Sequence, residues 1–208
     1  MAFVDELIIG LDRALKALAA RPHAERANPG EAVADAPMSD EERGHAAGLM
    51  RVNHTGEICA QGLYEGQALT ARDAATREAL LAAAQEETDH LAWCQDRLTE
   101  LDARPSLLNP LFYAASYALG AATGLLGDRV SLGFVEATED QVCRHLESHM
   151  RSLPGQDQRS RAIVEQMHTD EARHGAQAMA KGGAEFPRPL KQAMTLVSKV
   201  MTETTYRI

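Results

Sequence analysis

The sequence predicts an all-α protein, a four-helix bundle with additional amphipathic and crossover helices. Composition is the first observation behind this. Ala, Leu and Glu dominate, hydrophobic residues make up 45% but aromatic ones only 4%, and no alternating β-branched run long enough for a sheet occurs. Periodicity is the second. Met50, Asn53, Glu57, Ala60 and Tyr64 recur at the spacing of one helix face. So do Leu80, Ala83, Glu87, His90, Cys94 and Leu98; Leu132, Val135, Glu139, Val142 and Leu146; and Val164, Met167, Glu171, His174 and Ala178. The third is what interrupts these stripes: each carries a glutamate, and two carry Glu-x-x-His.

The 208 residues read as a single domain, residues 1–208, long enough for a real core. A first helix over about 2–19 places Phe3, Leu7, Leu11, Leu15 and Leu18 on one side. Acidic residues at its start and the lack of a small-residue cleavage site argue against a secretion signal. Residues 21–40, rich in Pro, Ala and polar side chains, read as a linker, with Ser39 or Asp40 capping the next helix. Helices then run to about 68, over about 72–102, near 110–126, over about 129–152 and about 157–181, and a last one follows Pro187 and Pro189. Pro154-Gly155 and Gly182-Gly183 mark turns. The Glu57 to Glu87 interval is 30 residues and the Glu139 to Glu171 interval 32, so the halves echo each other as two helix hairpins about a pseudo-twofold axis, joined by a long crossover.

Residues three apart share a helix face, so Glu87-Thr-Asp-His90 and Glu171-Ala-Arg-His174 can each aim a carboxylate and an imidazole at one point. With Glu57 and Glu139 they make the six-ligand set of dimetal helix bundles of the ferritin-like kind. Catalysis would then run through those residues. Four buried carboxylates need compensating charge. Two divalent cations supply it, and no Lys or Arg lies on the four stripes. Oxygen- and nitrogen-rich ligation suits iron or manganese, and six protein ligands leave positions for dioxygen. Chance placement of 18 Glu and 8 His gives about 0.7 Glu-x-x-His matches, whereas four occur. Periodicity sorts them. Glu165-Gln-Met-His168 shares its face with Arg161 and Gln158, and Glu42-Arg-Gly-His45 falls in a first helical turn, so neither is expected to ligate.

From Pro105 to Gly127 there are 23 residues without a formal charge. Pro110, Gly120, Gly124 and Gly127 dilute the run below a membrane span. It reads as a helix that either lies at a membrane interface, with Tyr113 and Tyr117 at the boundary, or is covered by the bundle. The terminal helix, with Leu190, Met194, Val197 and Met201 on one face and Lys191 and Lys199 elsewhere, is also amphipathic. The formal charge of −9, or −5 with the four cluster carboxylates set aside, argues against nucleic acid as a partner. Cys59, Cys94 and Cys143 have no CxxC spacing. They read as small buried hydrophobes in a reducing compartment, with Cys94 and Cys143 one turn beyond His90 and Glu139.

Arg51-Val-Asn-His-Thr-Gly-Glu57, Glu86-Glu87-Thr-Asp-His90, the Glu139 helix with His145, and Asp170-Glu171-Ala-Arg-His174-Gly175 together resemble the demethoxyubiquinone hydroxylase family of ubiquinone biosynthesis, from about residue 40 onward. The resemblance implies a ferritin-like di-iron monooxygenase that uses O2 and an external electron donor to hydroxylate the ring of a polyprenylated methoxy-benzoquinol. It implies a peripheral protein on the cytoplasmic side of the cell inner membrane, meeting a membrane-embedded quinol, and a homo-oligomer or a quinone-biosynthesis complex as its assembly. By the same analogy Glu87 and Glu171 would bridge two Fe ions, Glu57 and His90 completing one site, Glu139 and His174 the other. Asp89, Asp170 and His145 could orient the ligand imidazoles. His54 is either a similar support or a helix-packing group. Some members have a His-Tyr pair where this chain has His145-Leu146, so a role of that tyrosine in electron transfer does not carry over. Two other classes stay open: a soluble dimetal peroxidase, ferroxidase or catalase, and a non-catalytic helical scaffold for quinone-biosynthesis proteins.

Overall fold

The helices begin where the side chains can cap them. Ser39 accepts from the Glu42 amide while Glu42 reaches back to the Ser39 amide, a capping box that starts the second helix. Asp73 and Asp157 cap two later helices through Thr76 and Ser160. In the structure, a computed structural model describing residues 2–34 and 36–208 (backbone alone for 2–7 and Leu11), seven helices and no strand are present among the described residues. They are α1 (Ala2–Ala19), α2 (Asp40–Thr70), α3 (Ala74–Glu100), α4 (Asn109–Leu125), α5 (Asp128–Ser152), α6 (Gln158–Ala180) and α7 (Arg188–Thr205). Hairpins α2/α3 and α5/α6 pack against each other, α3 facing α6 and α2 facing α5, as a ferritin-like bundle.

Two apolar layers sandwich the polar stretch of the four stripes. One holds Met50, Trp93, Cys94, Leu98, Leu146, Val164 and Met167; the other holds Tyr64, Leu80, Leu132, Val135 and Ala178. Between them lie Glu57, Glu87, His90, Glu139, Glu171 and His174, all buried. The stripes thus point into the bundle as their periodicity requires.

Helix α4 lies on α2 along paired glycines. A Cβ on Gly66 would stand 2.1 Å from the Tyr117 carbonyl oxygen, and one on Gly120 would stand 2.2 Å from that of Leu63. The glycines that dilute the uncharged run are therefore the contact that lets two backbones approach. Gly66→Val would force these backbones apart at a cost of about 3 kcal/mol, which lowers the melting temperature of a chain this size by roughly 6–12 °C. Calorimetry checks this.

Three sequence expectations change here. Tyr113 is buried, not at a boundary, and its hydroxyl donates to Glu65 Oε2 at 2.8 Å. On α1, Leu15 is exposed, and it is Ala14, Ala17 and Leu18 that pack on Ile58, Leu91 and Tyr113; Phe3, Leu7 and Leu11 lie outside the described side chains. Helix α7 seats itself through Lys191, Met194 and Met201, so Val197 from the expected face points outward with Leu196 and Val200. Lys191, expected off the apolar face, is turned inward and bonds to Glu136 at 2.9 Å, while Leu190 is exposed as well. The other face of α4 stays uncovered: Leu111 and Leu125 are each 65% exposed. No described helix is long and apolar enough to cross a membrane.

Candidate metal centre

Three of the stripes deliver polar side chains to one buried point, and the fourth places Glu139 beside it. Glu57, Glu87, His90 and Glu171 offer ligand atoms that all lie within 4.8 Å of one another. His90 Nδ1 is 3.0 Å from Glu87 Oε2, 3.1 Å from Glu171 Oε1 and 3.4 Å from Glu57 Oε2. His174 Nδ1 is 3.1 Å from Glu87 Oε1 and 3.3 Å from Glu171 Oε2. Glu87 and Glu171 thus each turn one oxygen to each imidazole, the disposition a bridging carboxylate requires. Glu139 sits beside this group and accepts a hydrogen bond from the Tyr64 hydroxyl.

The outer nitrogens are also engaged. His90 Nε2 donates to Asp170 Oδ2 at 3.0 Å, and His174 Nε2 donates to Glu86 Oε2 at 3.2 Å. With those nitrogens protonated, both Nδ1 atoms can present lone pairs inward. Arg173 joins the two supports, at 2.7 Å from Glu86 and 3.0 Å from Asp170. Asp89 does not meet an imidazole. It accepts from Arg26 Nε at 2.6 Å and from the Glu25 amide at 2.7 Å. His145 shows no contact with His90 or His174; its ring lies 3.9 Å from that of His149. Six residues beyond Glu139 is about 120° around the helix, off the ligand face.

The arrangement fits a cation. Glu57 Oε2 and Glu87 Oε1 are buried without a hydrogen-bond partner, which is costly unless positive charge faces them. Burial, then the charges of Glu87 and Glu171, push Glu57 well above the carboxylate range. Burial, then Glu171 and Glu87, do the same to Glu139. Burial opposes charge on the imidazoles, yet the carboxylates around them raise His90 well above its ordinary value and His174 to about 11. The site therefore takes up positive charge as protons when no cation is supplied. Protons and metal compete for the same atoms, so metal affinity rises with pH. For metal-free protein the sign is reversed. The stabilisation from His174 is complete below its unfolded value of 6.5 and is lost as pH rises through about 11. The gain in melting temperature on adding metal is thus expected to grow as pH rises above 6.5, measured by calorimetry with and without metal.

The remaining motif residues hold the frame. Arg51 donates to the backbone oxygens of Arg104 and Tyr206, both at 2.8 Å. His149 Nδ1 donates to Asn53 Oδ1 at 2.7 Å, and Thr55 donates to Asn109 Oδ1 at 2.8 Å. His54 contacts the same Asn109 at 3.3 Å and is buried, which lowers its pKa to about 4, so it serves as a packing group at the start of α4. The decoy pairs do other work. Glu42 caps α2, His45 meets the Tyr206 hydroxyl at 2.6 Å, and His168 faces Glu147 at 3.5 Å. Of the three cysteines expected to be buried, Cys94 is, against Met167, whereas Cys59 and Cys143 are half-buried, Cys143 beside the His168 carbonyl.

Residues 44–205 match the family described as Ubiquinone biosynthesis protein COQ7. The chain belongs to that family. Among curated COQ7-type relatives, a 3-demethoxyubiquinol 3-hydroxylase of Marinomonas sp. is 54% identical over 100% of both chains. One of Chromohalobacter salexigens is 58% identical over 98% of this chain and 96% of its own, and one of Chromobacterium violaceum is 57% identical over 99% and 100%. All six candidate ligands fall inside the span that matches COQ7.

Three contributors escaped the sequence reading. Tyr64 was visible only as a stripe member, although a buried phenol needs a partner. Glu86 adjoins a ligand but points elsewhere. Arg26 comes from the 21–40 linker, and nothing local marks it.

Proposed function

We propose that this chain is a di-iron monooxygenase that hydroxylates the ring of demethoxyubiquinol, a polyprenylated methoxy-benzoquinol, in ubiquinone biosynthesis. One observation carries the reading: three buried carboxylates and two imidazoles converge with Glu139 beside them, two carboxylate oxygens lack a hydrogen bond, and two glutamates face both imidazoles. Membership of the COQ7 family and relatives named 3-demethoxyubiquinol 3-hydroxylase support the substrate. Glu57, His90, Glu87 and Glu171 would hold one iron, and Glu139, His174 and the same two bridging glutamates the other. Bound iron supplies the one-electron chemistry that dioxygen needs to react with a closed-shell ring.

The chain's own groups set the conditions. Asp170 and Glu86 hold protons on the outer imidazole nitrogens and keep the inner ones available. Tyr64 holds its proton on Glu139. The two apolar layers exclude water from the carboxylates. The overall reaction takes one ring C–H, one O2, two electrons from an external donor and two protons, and gives one C–OH and one water. The uncovered apolar faces of α4 and α7 suit a peripheral protein on the cytoplasmic side of the inner membrane, where a polyprenyl quinol resides. A homo-oligomer or a complex of quinone-biosynthesis proteins would use such faces equally.

Anaerobically purified protein is expected to hold close to two irons per chain, to give coupled diferric iron in Mössbauer spectra after oxygen exposure, and to place one atom of labelled O2 in the quinol product. Protein that binds no iron on reconstitution would exclude the reading.

A further inference from the structure

The loop between α1 and α2 is bound across the bundle. Its residues 21–26 lie along α3: Arg21 meets Asp96 at 2.9 Å, the Glu25 amide meets Asp89 at 2.7 Å, and Trp93 lies between. Its far end crosses to α6, where Arg159 Nε donates to the Val33 carbonyl at 2.8 Å. The loop is thus a strap over the seam between α3 and α6, the two helices that carry both imidazoles.

Arg26 closes that seam. Its Nε donates to Asp89 on α3 at 2.6 Å and its Nη1 to Asp170 on α6 at 2.7 Å, while the guanidinium lies 4.8 Å from the centre of the buried Trp93 ring. Both carboxylate side chains are only 5% exposed. Asp170 Oδ2 is the same oxygen that accepts from His90 Nε2. A planar fork that bridges two carboxylates fixes their orientation as well as their charge, which a lysine cannot do. Among the described residues the strap makes no such contact on the His174 side: Glu86 is 37% exposed and is met by Arg173 of α6, which also reaches the other oxygen of Asp170 at 3.0 Å.

We propose that Arg26 is a positioning residue for the His90 side of the centre, holding Asp170 so that the imidazole keeps its outer proton and turns Nδ1 toward the glutamates. This rests on the metal-centre reading above. The two sides of the centre are then unequal. The His90 side is clamped by a segment outside the four bundle helices, and the His174 side exchanges more readily with solvent.

The test uses the full chain labelled with nitrogen-15 histidine and loaded with zinc, a diamagnetic probe that reports each imidazole separately. In the parent protein the His90 Nε2 proton is expected to exchange slowly and the His174 proton faster. Arg26→Gln should speed exchange at His90 at least about tenfold, leave His174 unchanged, and weaken zinc binding by about 10–100-fold in competition with a chelator. Arg26→Lys should fall between. Arg21→Ala cuts another strap tie but touches neither Asp89 nor Asp170, and should leave both signals and the affinity as they were. Asp89→Asn, which removes the second anchor of Arg26, gives the same site-specific change should Arg26→Gln not fold. Arg26→Gln behaving like Arg21→Ala would overturn the proposal, as would full recovery by lysine. A parent chain that binds no zinc would overturn the metal-centre reading itself.

Discussion

Glu171→Ala is expected to abolish quinol hydroxylation and to reduce the metal content of the purified protein to a small fraction of its wild-type value, while the bundle stays folded. Glu171 turns one oxygen toward His90 and the other toward His174, so its loss strips a ligand from both metal positions at once. Glu57→Ala strips only one. The fold should survive for an electrostatic reason. Without metal, four carboxylates share a site that burial already pushes toward protonation at Glu57 and Glu139. Removing Glu171 relieves repulsion on those two carboxyls but also takes one partner from each imidazole, and losing one partner of a buried ionic group costs about 3–5 kcal/mol unless the other gives up its charge. The imidazoles can release their protons, so the metal-free variant should stay folded and melt moderately below the metal-free parent. What disappears is the rise in melting temperature on adding iron. Unchanged quinone formation in cells that carry this variant would instead favour a scaffold, and a variant that failed to fold would show the carboxylate to be structural.

The contrast between these residues and Arg26 shows where sequence reading reaches and where it stops. Glu57, Glu87, His90, Glu139, Glu171 and His174 were legible because each sits on an apolar stripe whose period is fixed by helix geometry. A carboxylate on such a stripe is carried into the core, where it stays ionised only beside positive charge. The same period discarded Glu165 and His168, and the structure gives that pair to the surface and to Glu147. Helix ends were legible from Ser39, Pro187 and the glycine turns to within a few residues.

What supports the ligands was not legible, because it depends on residues that meet only after folding. Arg26 and Asp170 are separated by 144 positions. Asp89 and Asp170 both read as supports for a ligand imidazole, yet only Asp170 reaches one, while Asp89 meets the strap alone. His145 seemed close to Glu139 along the chain but lies off its face. Glycines 120 and 124 read in the sequence only as dilution of a membrane span. The position of α2 against them shows that they serve close helix packing. The uncovered faces of α4 and α7 remain legible as amphipathicity alone, since exposure does not say what covers a surface.

Replacing both Leu111 and Leu119 by Asp should remove vesicle binding without disturbing the metal centre. The two side chains are 65% and 47% exposed on the side of α4 turned away from α2. Each leucine transferred into the acyl region contributes about 1.5–3 kcal/mol, so losing both weakens partitioning by roughly a hundredfold or more. The added carboxylates, repelled by anionic headgroups, extend the loss. Exposed positions tolerate such changes within about 0.5 kcal/mol each, so iron content and melting temperature should hold, which separates lost docking from lost folding. Flotation with vesicles containing anionic lipid reads the first effect. A split in substrates reads the consequence: a short-chain quinol dispersed in buffer should still be hydroxylated at the parent rate, and a long-chain quinol in vesicles should not. Parallel replacement of Leu196 and Val200 on α7 tells whether one face or both meet the lipid. Unchanged flotation of the α4 variant together with lost flotation of the α7 variant would place the lipid contact on α7 and leave the apolar face of α4 for a protein partner.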